Sequence, residues 1–368
     1  MTVLVTVVSG PTHEKRIRER IRVRAAFFFI FVMSGTVMLK QFTTNLKNAG
    51  FFSGDKNRGN VLSWPDIGHF QSFRNIMDRD FSQYCCQGAT YTSGYTDPGT
   101  GVALFTVEFT PPESRGLPVI VFVPGLASVP DNFTGTLIGL TRYHKVHYVE
   151  TREKSSTIIR GSHRFSVAEV SSDLTGYLNS VFTDDVRYVL VGYSLGATAI
   201  AESFGFLKHK PLSIVLIEPN GSFNFPWWSV VLAHGARYIF RFMKPFLKWY
   251  IRKFRVNTVE DNEMYLMNCR ILDAAEPRRL GLTIRGLKPY RIGDCLAGIT
   301  VPVLVAGTSK DKFHSHDDAL QISAAINNCT YTDIEDNARS HSGEMAKIII
   351  RFIKSPMADN IQDRITPG

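Results

Sequence analysis

A chain of 368 residues with 44% hydrophobic and 20% charged content has an ordinary globular composition and can bury a sizeable core, in one large domain or two modest ones. The formal net charge of +9 is basic, but the excess falls in two clusters, neither of which looks like a nucleic-acid-binding module. The five cysteines (Cys85, Cys86, Cys269, Cys295, Cys329) are odd in number, include an adjacent pair and show no C-x-x-C spacing; this argues against a disulfide framework or a zinc site and favours a reducing compartment.

Residues 1–60 form an extension that reads in two ways. A basic flank (Lys15, Arg16, Arg18, Arg20, Arg22, Arg24) precedes an apolar run at 25–39, the order expected of an anchor or uncleaved signal held with its positive side in the cytoplasm. The run falls short of the ~20 residues of a spanning helix, and Ser34-Gly35 interrupts it, so a small strand-helix-strand unit is the other reading. The protein is accordingly expected in the cytoplasm or at a membrane. Residues 45–60, rich in Gly, Asn, Ser and Lys, read as a linker ending near Gly59. Residues 64–84 alternate at helical spacing, and 91–110 give two strands about the turn 96–100.

From residue 118 the pattern becomes regular. Strands are expected at 119–123, 146–149, 186–191, 213–217, 301–306 and 331–334, and helices at 166–181, 197–206, 317–327 and 343–353. Strands alternating with helices imply a mostly parallel sheet with helices on both faces, an α/β fold whose reactive groups collect at the carboxyl ends of the strands.

One strand end stands out. Residues 188–191 run into Gly192-Tyr193-Ser194-Leu195-Gly196 and then into small aliphatic residues, the pattern of strand, sharp turn and helix. Such a turn presents a serine hydroxyl at a helix N-terminus, beside aligned N–H groups and a positive partial charge. Past the strand at 301–306 comes Gly307-Thr-Ser-Lys-Asp311, and past the last strand comes Asn337-Ala-Arg-Ser-His341. The chain order Ser194, Asp311, His341 is that of the α/β-hydrolases.

On these motifs, residues 100–355 resemble an α/β-hydrolase-fold protein of the serine esterase, lipase or thioesterase kind. The resemblance implies Ser194 as nucleophile, His341 as base and Asp311 as the acid that orients it, with Glu218, which ends the strand at 213–217, as the alternative acid. It implies an oxyanion hole from the backbone N–H groups of Leu126 and Leu195, although Pro124-Gly125 departs from the usual His-Gly and Ser340 stands where a glycine usually precedes the base. His314 and His316 have no Asp, Glu or Cys set at ligand spacing, so no metal and no cofactor is expected. A serine cannot form the alkyl ester intermediate of dehalogenases and epoxide hydrolases, which leaves acyl transfer. Residues 5–22 bear a short similarity to the opening of β-1,3-galactosyltransferase-like domains, without the tryptophan expected after the arginines or a later metal-binding acidic motif.

Between the strands at 213–217 and 301–306 lies a segment the sheet does not need, the usual place for a helical cap in this fold. The domain reading is therefore an extension and linker at 1–60, a core at 61–218 and 296–358, and a cap at 219–295. The cap's centre, 227–255, interleaves aromatic residues with lysines and arginines and has no acidic residue; Pro245 is expected to kink or divide it. Trp227, Trp228, Phe242 and Phe246 are candidates to line the substrate site, and the basic aromatic face is a candidate to lie on a membrane surface. The expected substrate is a small-molecule lipophilic ester or thioester, with no nucleic-acid partner. The alternatives are an acyltransferase using the same triad and a catalytically inactive binding or scaffold protein.

Overall fold

The computed structural model describes residues 79–113, 116–225, 227–255, 262–310 and 315–355, with only part of the side chains between 227 and 263. The alternatives for residues 1–60 lie outside these, as does the helix expected from 64 as far as 78. Its described end is a single 3-10 turn, Ser82–Tyr84.

Nine strands form one sheet: β1 (Thr90–Thr96), β2 (Val102–Thr110), β3 (Val119–Val123), β4 (Val146–Val149), β5 (Ile158–Ile159), β6 (Tyr188–Tyr193), β7 (Ser213–Ile217), β8 (Val303–Gly307) and β9 (Cys329–Asp333). Eight lie in the order β1-β2-β4-β3-β6-β7-β8-β9, and β5 pairs with β2. The hairpin β1–β2 and the β2–β4 pairing are antiparallel; every pairing from β4 to β9 is parallel. The mostly parallel sheet expected from the strand-helix alternation is therefore present, with an antiparallel edge.

The central strands are apolar without interruption because both their faces are covered. On β3, Val121 and Val123 enter one core, with Leu174, Ile200 and Ile322 from helices α2 (Val167–Val181), α3 (Leu195–Ser203) and α7 (His316–Ala325). Ile120 and Phe122 enter the other, with Leu137, Leu140, Ile349 and Phe352 from α1 (Thr134–Thr141) and α9 (Gly343–Ile353). Each such fully buried side chain stabilises the fold by roughly 1.5–3 kcal/mol. Helix α2 begins on a capping arrangement in which the Ser166 side chain accepts from the Glu169 N–H. Helix α1 has two glycines and little helix propensity; a Cβ on Gly139 would collide with the Ala346 methyl, so the small residue is what lets α1 lie against α9.

Between β7 and β8 the chain forms α4 (Trp227–Tyr250), a π-helical turn (Ile251–Arg255), α5 (Asn262–Ala274) and α6 (Pro277–Leu287). Of the kink or division expected at Pro245, division is not seen: α4 runs through the proline. Proline costs a helix one N–H bond, and here the neighbouring surface is open to water that can solvate the freed carbonyl: Phe242, one residue past that carbonyl, is 82% exposed.

His144, just past α1, is buried, and its ring Nδ1 donates to the Pro118 carbonyl at 2.8 Å. Burial holds this imidazole below the ordinary 6.5, with nearby Lys354 acting in the same direction. The unfolded chain therefore takes up the proton first. Stability is full above pH 6.5 and falls as the pH drops through that value toward the depressed folded-state one. Urea midpoints from about pH 8 to about pH 5 should fall on the acid side, and less steeply in His144→Asn than in the parent chain.

Candidate active site

Ser194 sits between β6 and α3 at φ 49 and ψ −112, a left-handed conformation that a non-glycine residue adopts only where its surroundings enforce it. The enforcement is steric. A Cβ on Gly192 would lie 2.7 Å from the backbone of Ala197, and one on Gly196 would lie 2.7 Å from the Pro124 carbonyl oxygen and nearer still to that of Val123. Only glycines at both places let α3 fold back across the ends of β3 and β6. The Ser194 N–H donates to the Ile217 carbonyl at 2.9 Å, and its carbonyl accepts the Thr198 N–H at 3.0 Å. Its side-chain Oγ accepts from Asn220 Nδ2 at 2.9 Å.

Asn220 gave no signal in the sequence. It lies three residues past β7, and its backbone N–H donates to Thr198 Oγ1 at 3.1 Å. The next two amides, of Gly221 and Ser222, donate to Asp318 Oδ2 at 2.9 and 3.0 Å, so the loop after β7 is tied to α3 and α7 together.

His341 caps the short helix α8 (Asn337–Ser340) and packs against two aromatic rings, stacked on Tyr193 at 5.3 Å between centroids and tilted to Phe133 at 4.9 Å. The Tyr193 hydroxyl donates to the Ser340 carbonyl at 2.6 Å. The residue before the serine thus fixes the residue before the histidine. Thr136 Oγ1 adds a bond to the Ser342 carbonyl at 3.0 Å.

The two candidate acids differ in what the structure describes. Asp311 lies outside the described residues, as does His314. Glu218 directly follows β7 at φ 50, is buried, donates its N–H to the Ala306 carbonyl at 2.8 Å, and accepts from Asn337 Nδ2 at 3.0 Å on each oxygen. Asn337 is on the helix that leads into His341, so Glu218 holds the segment that carries this histidine.

The loop 124–128 lies against the serine: a Cβ on Gly125 would be 3.3 Å from Ser194 Cβ. Ala127 has φ 52, and its N–H donates to Glu153 Oε1 at 3.1 Å, so this amide is already engaged. Leu126 and the fully buried Leu195 share an apolar cluster with Val167, Phe223, Phe225, Leu287 and Tyr290. Several of these belong to the segment between β7 and β8, which therefore contributes to the apolar surroundings of the serine. Of the four residues expected to line a substrate site, Phe242 is exposed, Phe246 is 38% exposed, and the side chains of Trp227 and Trp228 lie outside those described. Among the described residues no group of three His, Cys, Asp or Glu is placed to hold a metal ion.

No family model and no curated protein matches the sequence, and the short N-terminal similarity to galactosyltransferase-like domains finds no support. Solved structures do match. A hydrolase from Pseudomonas aeruginosa PA01 superposes with a TM-score of 0.60 at 15% identity, over 72% of this chain and 99% of its own. A thermophilic esterase from Thermogutta terrifontis gives 0.56 at 15%, over 72% and 98%. A bromoperoxidase from Bacillus anthracis gives 0.56 at 14%, over 72% and 100%. The chain has the α/β-hydrolase fold. Neighbours described by such different activities share that fold, so the reaction has to be argued from the site.

Replacing Tyr193 by Phe leaves the Ser340 carbonyl without its donor. A loss of about 1–3 kcal/mol in urea-determined stability is expected, with a smaller loss for Thr136→Val, whose partner Ser342 is partly exposed and open to water.

Proposed function

We propose that this chain is a serine hydrolase that cleaves a lipophilic carboxylic ester or thioester through an acyl-enzyme. The observation that carries the reading is the left-handed backbone of Ser194 at the strand-to-helix turn, a strain kept where a hydroxyl has to be presented. The stacked His341 segment beside it supports the assignment of the base.

In this reading Ser194 Oγ attacks the substrate carbonyl carbon while His341 takes its proton. The carbonyl π pair becomes an oxyanion that accepts from the Leu195 and Leu126 amides, with the N-terminus of α3 contributing favourable field. Collapse breaks the bond to the alcohol or thiol, which leaves with the proton from His341. Water, deprotonated by His341, then attacks the acyl-serine and regenerates the hydroxyl. Asp311 is the acid assigned to orient His341, and Glu218 the alternative. The segment 219–295 serves as a cap, whose Phe223 and Leu287, beside Leu195, suit an apolar acyl group.

A fluorophosphonate probe should label the folded protein. Labelling should vanish in Ser194→Ala and slow by roughly 10²–10⁴-fold in His341→Ala. The larger rate loss between Asp311→Asn and Glu218→Gln identifies the acid. A folded protein that stays unlabelled would rule the reading out.

A membrane-facing role for the cap is favoured by one further observation. Phe242, Phe246 and Trp249 recur at i, i+4 and i+7 on α4, and with Phe254 they are 82%, 38%, 52% and 50% exposed, beside the exposed Arg252 and Lys253. An apolar stripe flanked by cations complements a bilayer carrying anionic headgroups. No helix among the described residues is long and apolar enough to cross a membrane, so this contact would be a surface one. The protein should cosediment with phosphatidylserine-containing vesicles, and the doubly changed Phe242→Ser, Trp249→Ser should remain in the supernatant. Equal sedimentation of the two would remove the membrane role and leave the hydrolase reading untouched.

A further inference from the structure

The segment after β4 carries four charged residues in sequence, Glu150, Arg152, Glu153 and Lys154, and all four are buried. Buried charges of this kind are unfavourable unless each is paired and hydrogen-bonded. Arg152 is accounted for by the scaffold: it pairs with Asp173 on α2 through two bonds of 2.7 Å. Glu153 and Lys154 have different partners. Lys154 Nζ donates to the Gly125 carbonyl at 2.7 Å and to Glu153 Oε1 at 3.0 Å. The same Oε1 accepts from Thr151 Oγ1 at 2.8 Å and from the Ala127 N–H at 3.1 Å. Burial alone would raise the Glu153 carboxyl, but Lys154 and the hydrogen bonds outweigh it, so the group is held ionised below the usual carboxylate range.

The two peptide groups gripped in this way flank Leu126. A trans peptide is planar, with its C=O and N–H on opposite sides, and the described chain has no cis peptide. The Gly125 carbonyl accepts from Lys154 Nζ and, at the longer distance of 3.2 Å, from the Ser128 N–H, and holding it there turns the Leu126 N–H the opposite way. Fixing the Ala127 N–H on Glu153 holds the left-handed φ of 52 that closes the turn, and removes that amide from competition for a ligand oxygen. From the segment between β7 and β8, Arg279 on α6 donates to the Lys154 carbonyl and, at 2.8 Å, to that of Thr157, which secures the main chain carrying the pair.

We propose that Glu153 and Lys154 are positioning residues that set the orientation of the Leu126 amide. The proposal rests on the hydrolase reading for its kinetic consequence and on the loop geometry alone for its structural one. The test uses the full chain with Lys154→Met, which keeps length but removes the charge, and Glu153→Gln, which keeps an acceptor for Ala127 but removes the partner of Lys154. Amide hydrogen exchange and ester kinetics are measured side by side.

Exchange at Ala127, whose N–H is bonded to Glu153, should rise at least tenfold in Lys154→Met, with exchange in β3 and β6 unchanged. On a chromogenic ester kcat should fall toward the roughly 10²–10³-fold loss seen when one oxyanion donor is removed, with KM within about twofold. Glu153→Gln should give a smaller change in the same direction, and it decides the matter alone if Lys154→Met does not fold. Unchanged exchange at Ala127, or a kinetic loss confined to KM, would overturn the proposal. A parent chain that neither labels nor hydrolyses, but whose variants still show the local rise in exchange, would retire the hydrolase reading and leave the clamp standing.

Discussion

The feature on which the rest depends is the close approach of α3 to the ends of β3 and β6. It is possible only because Gly192 and Gly196 have no side chains, and it forces the intervening Ser194 into a backbone conformation it would not otherwise hold. The strain is small beside the burial on either side, where the strands and α3 are almost wholly enclosed. A parallel sheet covered on both faces can hold one unfavourable residue at a strand end, and that is where the helix N-terminus supplies its amides.

Around that point, three loops that carry polar residues are each tied to something rigid. The loop after β7 is tied through Asn220 and Asp318, the loop after β3 through Glu153 and Lys154, and the loop after β9 through Tyr193, Thr136 and Glu218. The loop after β9 also carries exposed ion pairs of Glu335 with Lys310 and Arg339, but such pairs are weak and screened by salt. The candidate site is thus held mainly by buried and part-buried hydrogen bonds, most of them to backbone groups, whose alternatives inside the core would be unsatisfied.

The sheet was largely legible because a strand buried on both faces is apolar nearly throughout, as at 119–123 and 214–217. Boundaries shifted where local hydrogen bonding decided them. Val186 was expected in β6, but its N–H closes a turn onto Thr183 and its side chain is 37% exposed, so the strand starts at Tyr188. Helix α1 was not expected, because Gly135, Gly139 and its threonines are poor helix formers kept for their size. The serine and histidine were legible through their places beside strand ends. The roles of Asn220, Glu153 and Lys154 were not, since a short run of charges reads as surface until the fold encloses it, and their partners lie more than twenty residues away in sequence.

Tyr193 has one more consequence. Its phenol is enclosed, and burial pushes its ionisation far above the ordinary range, so it remains a donor to the Ser340 carbonyl through the whole interval in which imidazoles and carboxylates titrate. The anchoring of the histidine's segment at this contact is therefore indifferent to acidity. A protonation profile measured on this site would carry no contribution from a scaffold shifting at that point, and its inflections would belong to the groups that exchange protons there.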